Sequence, residues 1–201
     1  MEIILKISWA KRGDNVASPS FDEVNEMRKK FLDSYHEYWL ENAFLTWQWW
    51  LLLITVICSW VVWWKVVDKR RIHLILNFGF LYGIISLILD MVGMNHLLWA
   101  YPIRLYWAFI PPLLPFDLSY LPIIFMLVYQ RYGRKSTTKV LIAFTITSAI
   151  ISFVVEPFFH WIGIYEMYKW KYIYSFPIYI TLAFLVRFLV GIFERKQKVH
   201  E

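Results

Sequence analysis

Five apolar stretches, each long enough to cross a lipid bilayer, alternate with short polar segments along most of the chain. A membrane-spanning helix needs about 20 mostly apolar residues, because each residue rises only about 1.5 Å through about 30 Å of hydrocarbon. The third stretch contains several prolines, which remove backbone donors and kink helices. The pattern predicts an all-α, multi-pass membrane protein with five transmembrane helices, at 43–64, 74–94, 112–129, 140–159 and 175–193.

The residues before these stretches, 1–43, form a tail in which one segment has a helical pattern. Ser20 and Glu23 fit a capping box, in which the serine accepts a backbone N–H and the glutamate reaches back. Apolar residues then recur at three- and four-residue spacing, which predicts an amphipathic helix over 20–41. Such a helix lies on the bilayer, packs on the transmembrane bundle or docks a protein partner. Its apolar positions are Phe21, Val24, Met27, Phe31, Tyr35 and Tyr38.

Lysine and arginine are unevenly distributed among the connections. Eleven follow the first, third and fifth stretches, within 65–71, 131–139 and 195–198, and three lie in the other two connections. Basic residues are enriched in the cytoplasmic loops of membrane proteins. We therefore expect a plasma-membrane protein with its N-terminus outside and a basic cytoplasmic C-terminal tail at 194–201.

Composition excludes several classes of protein. Hydrophobic residues make up 59% of the chain and aromatic residues 20%, which excludes disorder and an ordinary soluble domain. The net charge of +6 comes from short basic clusters between apolar stretches. No basic stripe or nucleic-acid-binding motif accompanies it, so the expected partner is the lipid bilayer and no nucleic acid. A single cysteine, Cys58, excludes an internal disulfide and a cysteine-based zinc site, and we expect no cofactor.

Ionisable side chains inside the apolar stretches are the candidates for a functional site, because they are costly in hydrocarbon. Three carboxylates, each on a different stretch, fall within about 7 Å of the outer surface at 1.5 Å per residue. With neighbouring residues they form a predicted outer polar cluster of Asp90, His96, Arg104, Asp117, Glu156 and His160. The cluster either forms a pocket for a cation, a proton or a lipid headgroup, or consists of solvated carboxylates that pair with Arg104.

Glu156 and His160 are four residues apart, a spacing that suits two metal ligands on one helical face. Pro157 lies between them and disfavours helical backbone at the residue before it. We therefore predict no metal site here.

Aromatic segments in the second half of the chain carry a resemblance to a family. They are Trp-Ala-Tyr-Pro-Ile-Arg at 99–104, Pro-Phe-Asp-Leu-Ser-Tyr at 115–120, Tyr-Lys-Trp-Lys-Tyr at 168–172 and Arg-Phe at 187–188. Over about residues 75–193 this order resembles an uncharacterised family of small, aromatic-rich, five-span membrane proteins from spore-forming Gram-positive bacteria. The resemblance implies a bacterial plasma-membrane protein and assigns no functional residue.

Two classes of function remain open. The first is a non-catalytic envelope or sporulation-associated protein that binds a partner or a lipid. The capped helix favours it, as do the tryptophans at both ends of the first stretch, which are typical of the membrane interface. The second is a small transporter or intramembrane enzyme that uses the outer carboxylates. No inverted repeat supports transport, and no nucleophile–base pair can be placed for catalysis. We therefore expect the first class, and we do not expect an enzyme.

Overall fold

The computed structural model describes residues 18–197, which are largely helical, as the sequence predicts. The chain forms two compact units, Met1–Glu37 and Tyr38–Glu201. The described part contains seven α-helices: α1 Phe21–Asn42, α2 Trp47–Val66, α3 Ile72–Asn95, α4 Leu121–Tyr132, α5 Thr137–Ile150, α6 Glu156–Trp161 and α7 Tyr172–Gln197. The smaller elements are a 3₁₀ turn at Lys69–Arg71, π-helical segments at Leu113–Tyr120 and Ile151–Val155, and an antiparallel pair of strands, β1 Trp99–Ala100 and β2 Glu166–Met167.

Within residues 18–197, four helical stretches are long and apolar enough to cross a membrane. They correspond to the first, second, fourth and fifth predicted transmembrane helices. Their bounds are Trp47–Val66, Lys69–Asn95, Thr137–Trp161 and Tyr172–Lys196.

The third predicted stretch, 112–129, is not one continuous α-helix. It consists of the π-helical segment Leu113–Tyr120, called here the π segment, followed by α4. Leu114 has non-helical angles, with φ −112° and ψ 141°. Pro115 explains this break, because proline lacks a backbone donor and disfavours helical backbone at the preceding residue.

The predicted capping box is confirmed at the start of α1. The backbone N–H of Glu23 donates to Ser20 Oγ at 3.2 Å, and the N–H of Ser20 donates to Glu23 Oε2 at 2.6 Å. Residues 1–17 of the predicted tail and 198–201 of the basic C-terminal tail lie outside the described residues. The apolar side chains on α1 include five exposed ones: Phe21, Val24, Met27, Phe31 and Tyr38.

Helix α3 packs closely against α4 and the π segment. Phe78 of α3 stacks on Tyr129 of α4 with ring centroids 4.3 Å apart. Gly79 and Gly83 are four residues apart on α3, and this spacing of small residues lets membrane helices approach closely. A Cβ at Gly83 would lie 2.9 Å from the backbone oxygen of Asp117, so only glycine fits without a shift.

One end of the helical bundle is marked by basic side chains and is called here the basic end. The side chain of Gln130, near the end of α4, accepts from the N–H of Asp68 at 2.9 Å. Arg71 donates to the backbone oxygen of Gln130 at 3.1 Å, and Arg187 of α7 donates to that of Gly133 at 3.1 Å. Helix α4 therefore ends beside both the α2–α3 connection and α7.

The opposite end is called here the cavity end. Trp99 of β1 donates to Asp90 near the end of α3, and Ser86 of α3 donates to Asp117 in the π segment. The π segment therefore begins beside the end of α3. Together with α4 it runs the length of α3 in the opposite direction.

Candidate functional site

The cavity end contains a cavity of about 120 Å³, called here the carboxyl cavity. Asp90 of α3, Asp117 of the π segment and Glu156 of α6 all line it. The structure therefore brings together the three carboxylates that the sequence places at one depth. The rest of the lining is mostly apolar, with aliphatic side chains and the aromatic side chains of Trp99, Tyr101, Phe116, Tyr120, Phe159, Tyr165, Trp170 and Tyr179.

Asp90 is 6% exposed and is held by two aromatic donors from the β1 segment. Its Oδ1 accepts from Trp99 Nε1 at 2.6 Å and from the Tyr101 hydroxyl at 2.9 Å. Gly93, one turn further along α3, makes room for the Trp99 indole, which a Cβ at this position would overlap. The glycine thus allows the indole to reach the carboxyl group.

Asp117 is 3% exposed and lies in the irregular π segment. Its Oδ1 accepts from Ser86 Oγ at 2.5 Å, and its carboxyl group lies within hydrogen-bonding reach of that of Asp90. Within residues 18–197, neither Asp90 Oδ2 nor Asp117 Oδ2 has a hydrogen-bond donor. Buried polar atoms normally have a hydrogen-bond partner. These two oxygens are therefore the expected position of a proton or of a ligand that donates to them.

Glu156 opens α6, and its Oε1 accepts from the Tyr179 hydroxyl of α7 at 2.6 Å. The expectation that Pro157 disfavours helical backbone at Glu156 is wrong, because Glu156 has helical angles of φ −59° and ψ −49°. The π-helical turn Ile151–Val155 lies directly upstream. Pro157 has no N–H to donate, and the π-helical turn changes the hydrogen-bonding pattern of the backbone just before it. The helix therefore continues through this position.

Arg104 is 2% exposed and lies in the connection between β1 and the π segment. Its guanidinium donates to the backbone oxygens of Tyr101 at 2.9 Å and Phe109 at 3.3 Å, and its charge acts on Asp90. Its own backbone oxygen accepts from Trp39 Nε1 at 2.8 Å. Arg104 therefore organises the connection beside the cavity and is not part of the lining.

The two histidines of the predicted cluster are exposed and do not line the cavity. The ring of His96 hydrogen-bonds the backbone oxygen of Val92 at 2.8 Å, and the ring of His160 lies 6.3 Å from that of Tyr172. Glu156 lines the cavity, whereas His160 does not. Among residues 18–197, no three histidine, cysteine, aspartate or glutamate side chains are grouped to hold a metal ion.

The strand pair covers the cavity end and supplies residues that sequence reasoning missed. The indole of Trp99 meets that of Trp170 at 4.9 Å, and Trp170 Nε1 donates to Ser175 Oγ at 2.9 Å. Burial, and then the charge of Asp90, raise the pKa of the Tyr101 phenol. Burial, and then the charge of Glu156, raise the pKa of Tyr165. Both phenols therefore stay neutral.

Comparison of the chain with protein-family models, curated proteins and solved structures found no match. The apolar helices indicate a membrane-embedded helical protein, and the cavity gives it a buried acidic site at one end of the bundle.

Proposed function

We propose that the chain is a five-span plasma-membrane protein that binds a small ligand, without catalysis, in the carboxyl cavity near the outer surface. The observation that carries the proposal is the pair of buried aspartates, Asp90 and Asp117, which line a cavity and each have an oxygen without a donor in the described part of the chain. Ionisable groups inside a membrane are costly and mark functional sites by default. An envelope or sporulation-associated role remains a hypothesis that depends on the family resemblance.

The π segment and α4 are the proposed fifth span. Together they cover 113–132, and at about 1.5 Å per residue 20 residues reach about 30 Å, the thickness of the hydrocarbon. Asp68, in the connection between α2 and α3, is hydrogen-bonded at the basic end to Gln130, which precedes the connection between α4 and α5. Alternate connections of a five-span protein lie on the same side of the membrane, which agrees with this contact.

The basic end is proposed to be cytoplasmic, because basic connections are retained on that side. The N-terminus and the carboxyl cavity then lie towards the outside, and the C-terminus lies inside. The exposed apolar side chains of α1 support contact of the helix predicted at 20–41 with the lipid surface or a protein partner. A small transporter remains the alternative, and it would use the same cavity.

Cysteine labelling tests the number of spans and the orientation together. In a Cys58→Ala background, Ser136→Cys and Tyr168→Cys place single thiols at the basic end and the cavity end; both positions are exposed. A membrane-impermeant maleimide applied to intact cells should label position 168 alone, and both positions should react after permeabilisation. The reverse pattern, or labelling of both positions in intact cells, would contradict the proposed orientation.

Native mass spectrometry of the detergent-purified protein tests ligand binding. A bound mass should be present in the wild type and lost in Asp117→Asn. Asp68→Asn is the matched control, because it makes the same chemical change at the basic end, where Asp68 pairs with Arg71. An identical set of bound masses in both variants would contradict a ligand site in the carboxyl cavity.

A further inference from the structure

The carboxyl cavity is lined by more acidic groups than the nearby basic groups can neutralise. Asp90, Asp117 and Glu156 line the cavity, and the positive charge of Arg104 acts on Asp90. If all three carboxyl groups were ionised, their charge would exceed that of Arg104 by two. Uncompensated charges are too costly to bury, so protons or a bound cation must make up the difference.

Asp90 and Asp117 are positioned to share one proton when no ligand is bound in the cavity. The carboxyl groups of Asp90 and Asp117 lie within hydrogen-bonding reach of each other, and each has an oxygen without a donor in the described part of the chain. Two carboxylates side by side cannot both ionise in a poorly solvated site. A single proton between them would satisfy both free oxygens and compensate one of the two excess charges. Glu156, whose Oε2 also has no donor in the described part of the chain, carries the other excess charge or a second proton.

The walls of the cavity favour an organic cation over a metal ion. Magnesium and calcium need about six or more oxygen ligands, and no three acidic, histidine or cysteine side chains within residues 18–197 are grouped to hold a metal ion. Aromatic rings attract an ammonium group through their negative faces. The rings of Trp99, Tyr101, Phe116 and Tyr165 line the cavity beside the aspartates, and about 120 Å³ admits only a small molecule.

Building on the proposed function, we propose that the carboxyl cavity binds a small protonated amine between Asp90 and Asp117, and that binding releases the proton these two groups share. The ammonium group takes the place of the proton, donating to the two free oxygens. The shared proton leaves to water, so one positive charge enters the site for each positive charge released. The apolar part of the amine contacts the aromatic wall.

The other titratable groups around the pair allow this exchange. Tyr82 of α3, Tyr101 and Arg104 of the following connection, and Tyr165 next to β2 act electrostatically on one or both aspartates. Glu156 faces the cavity from α6, where Tyr179 donates to it. The phenols of Tyr101 and Tyr165 stay neutral, and Arg104 keeps its charge, so the exchanged proton is carried by the carboxyl groups of the cavity. The Asp117→Asn variant tests whether the aspartate pair carries it.

The dependence of amine affinity on pH tests the proposal in the full-length protein. Butylammonium, 1-butanol and butyrate are similar in size and differ in charge, and their Kd values are measured in detergent at pH 6, 7 and 8. An alkylamine stays protonated over this range, as lysine does. Butylammonium should bind about tenfold more tightly per pH unit while the pair holds its proton, because one proton is released on binding. 1-Butanol and butyrate should bind at least about tenfold more weakly at pH 8.

Two variants test whether the aspartate pair carries the proton that is released on binding. Asp117→Asn should weaken butylammonium binding and remove its pH dependence, whereas Asp68→Asn at the basic end should retain both. The pH dependence of the wild-type Kd tests the proposal by itself, even if Asp117→Asn does not fold. A wild-type Kd that is independent of pH, or no binding of butylammonium, would overturn the inference. If 1-butanol binds as well as butylammonium, the inference fails while the ligand cavity of the proposed function stands.

Discussion

Replacing Gly83 by alanine tests the close packing that positions Asp117. The new Cβ would lie 2.9 Å from the backbone oxygen of Asp117 and 3.3 Å from Cγ of Pro122. Ordinary carbon–oxygen contacts are about 3.3–3.6 Å, so the methyl group is about 0.5 Å too close to an atom of the backbone. Overpacking of this kind costs about 1–3 kcal/mol. The close contact in Gly83→Ala should therefore cost about that much of the free energy of unfolding and push the π segment away from α3.

Gly191→Ala on α7 is the matched control, because a Cβ there has no atom within 4 Å among its neighbours. Both variants gain the higher helix propensity of alanine, worth up to about 1 kcal/mol, so their difference isolates the contact. Unfolding is followed by titrating the detergent-purified protein with sodium dodecyl sulfate. Gly83→Ala should be less stable than Gly191→Ala by at least about 1 kcal/mol. Equal stabilities would refute the close approach of α3 and the π segment.

Two further predictions concern hydrogen bonds at the two ends of the bundle. Tyr101→Phe removes the donor at 2.9 Å from Asp90 and should cost about 1–3 kcal/mol in the same titration; an unchanged stability would count against this bond. At the basic end, the side chain of Arg71 and then the N–H of Arg70 hold the pKa of Asp68 below its ordinary value of 3.8. The stability that this carboxylate contributes is therefore complete above about pH 4 and lost as the pH falls through the lowered pKa. Asp68→Asn should remove this loss, which is small because the pair is partly open to solvent; identical pH profiles of variant and wild type between pH 2 and 5 would contradict it.

The sequence predicts the apolar helices well, because length and hydropathy decide whether a helix can cross a bilayer. The third predicted stretch departs from a regular helix, and the prolines that interrupt it signal the departure. The presence of several prolines does not show at which residue the chain leaves helical geometry. That place, Leu114, depends on the proline that follows and on packing against α3.

Part of the candidate site is also readable from the sequence. Position along a span determines depth, and depth alone places Asp90, Asp117 and Glu156 at one level. Depth does not determine which way a side chain points, and His96 and His160 therefore lie near the cavity end without lining the cavity. Rotation about the helix axis depends on the packing of neighbouring helices, which one sequence does not reveal.

The hydrogen-bond donors to Asp90 show a different limit of prediction from sequence. Trp99 and Tyr101 come from a short strand and a turn, where hydrophobic periodicity carries no signal about direction. Their hydrogen bonds to Asp90 depend on a strand pair formed with residues more than sixty positions away. The spacing of Gly79 and Gly83 does predict a close helix approach, but it does not identify the segment that approaches.

A double-mutant cycle between Asp90→Asn and Asp117→Asn tests most directly whether the carboxyl groups form one site. Groups in contact couple by about 0.5–3 kcal/mol, whereas distant groups add within about 0.3–0.5 kcal/mol. The contact between the two carboxyl groups predicts a coupling in the first range at pH 7, with unfolding followed by dodecyl sulfate titration. The cycle between Asp90→Asn and Asp68→Asn is the control and should be additive. Additivity of Asp90→Asn and Asp117→Asn, within the error of the control, would contradict a shared site in the carboxyl cavity.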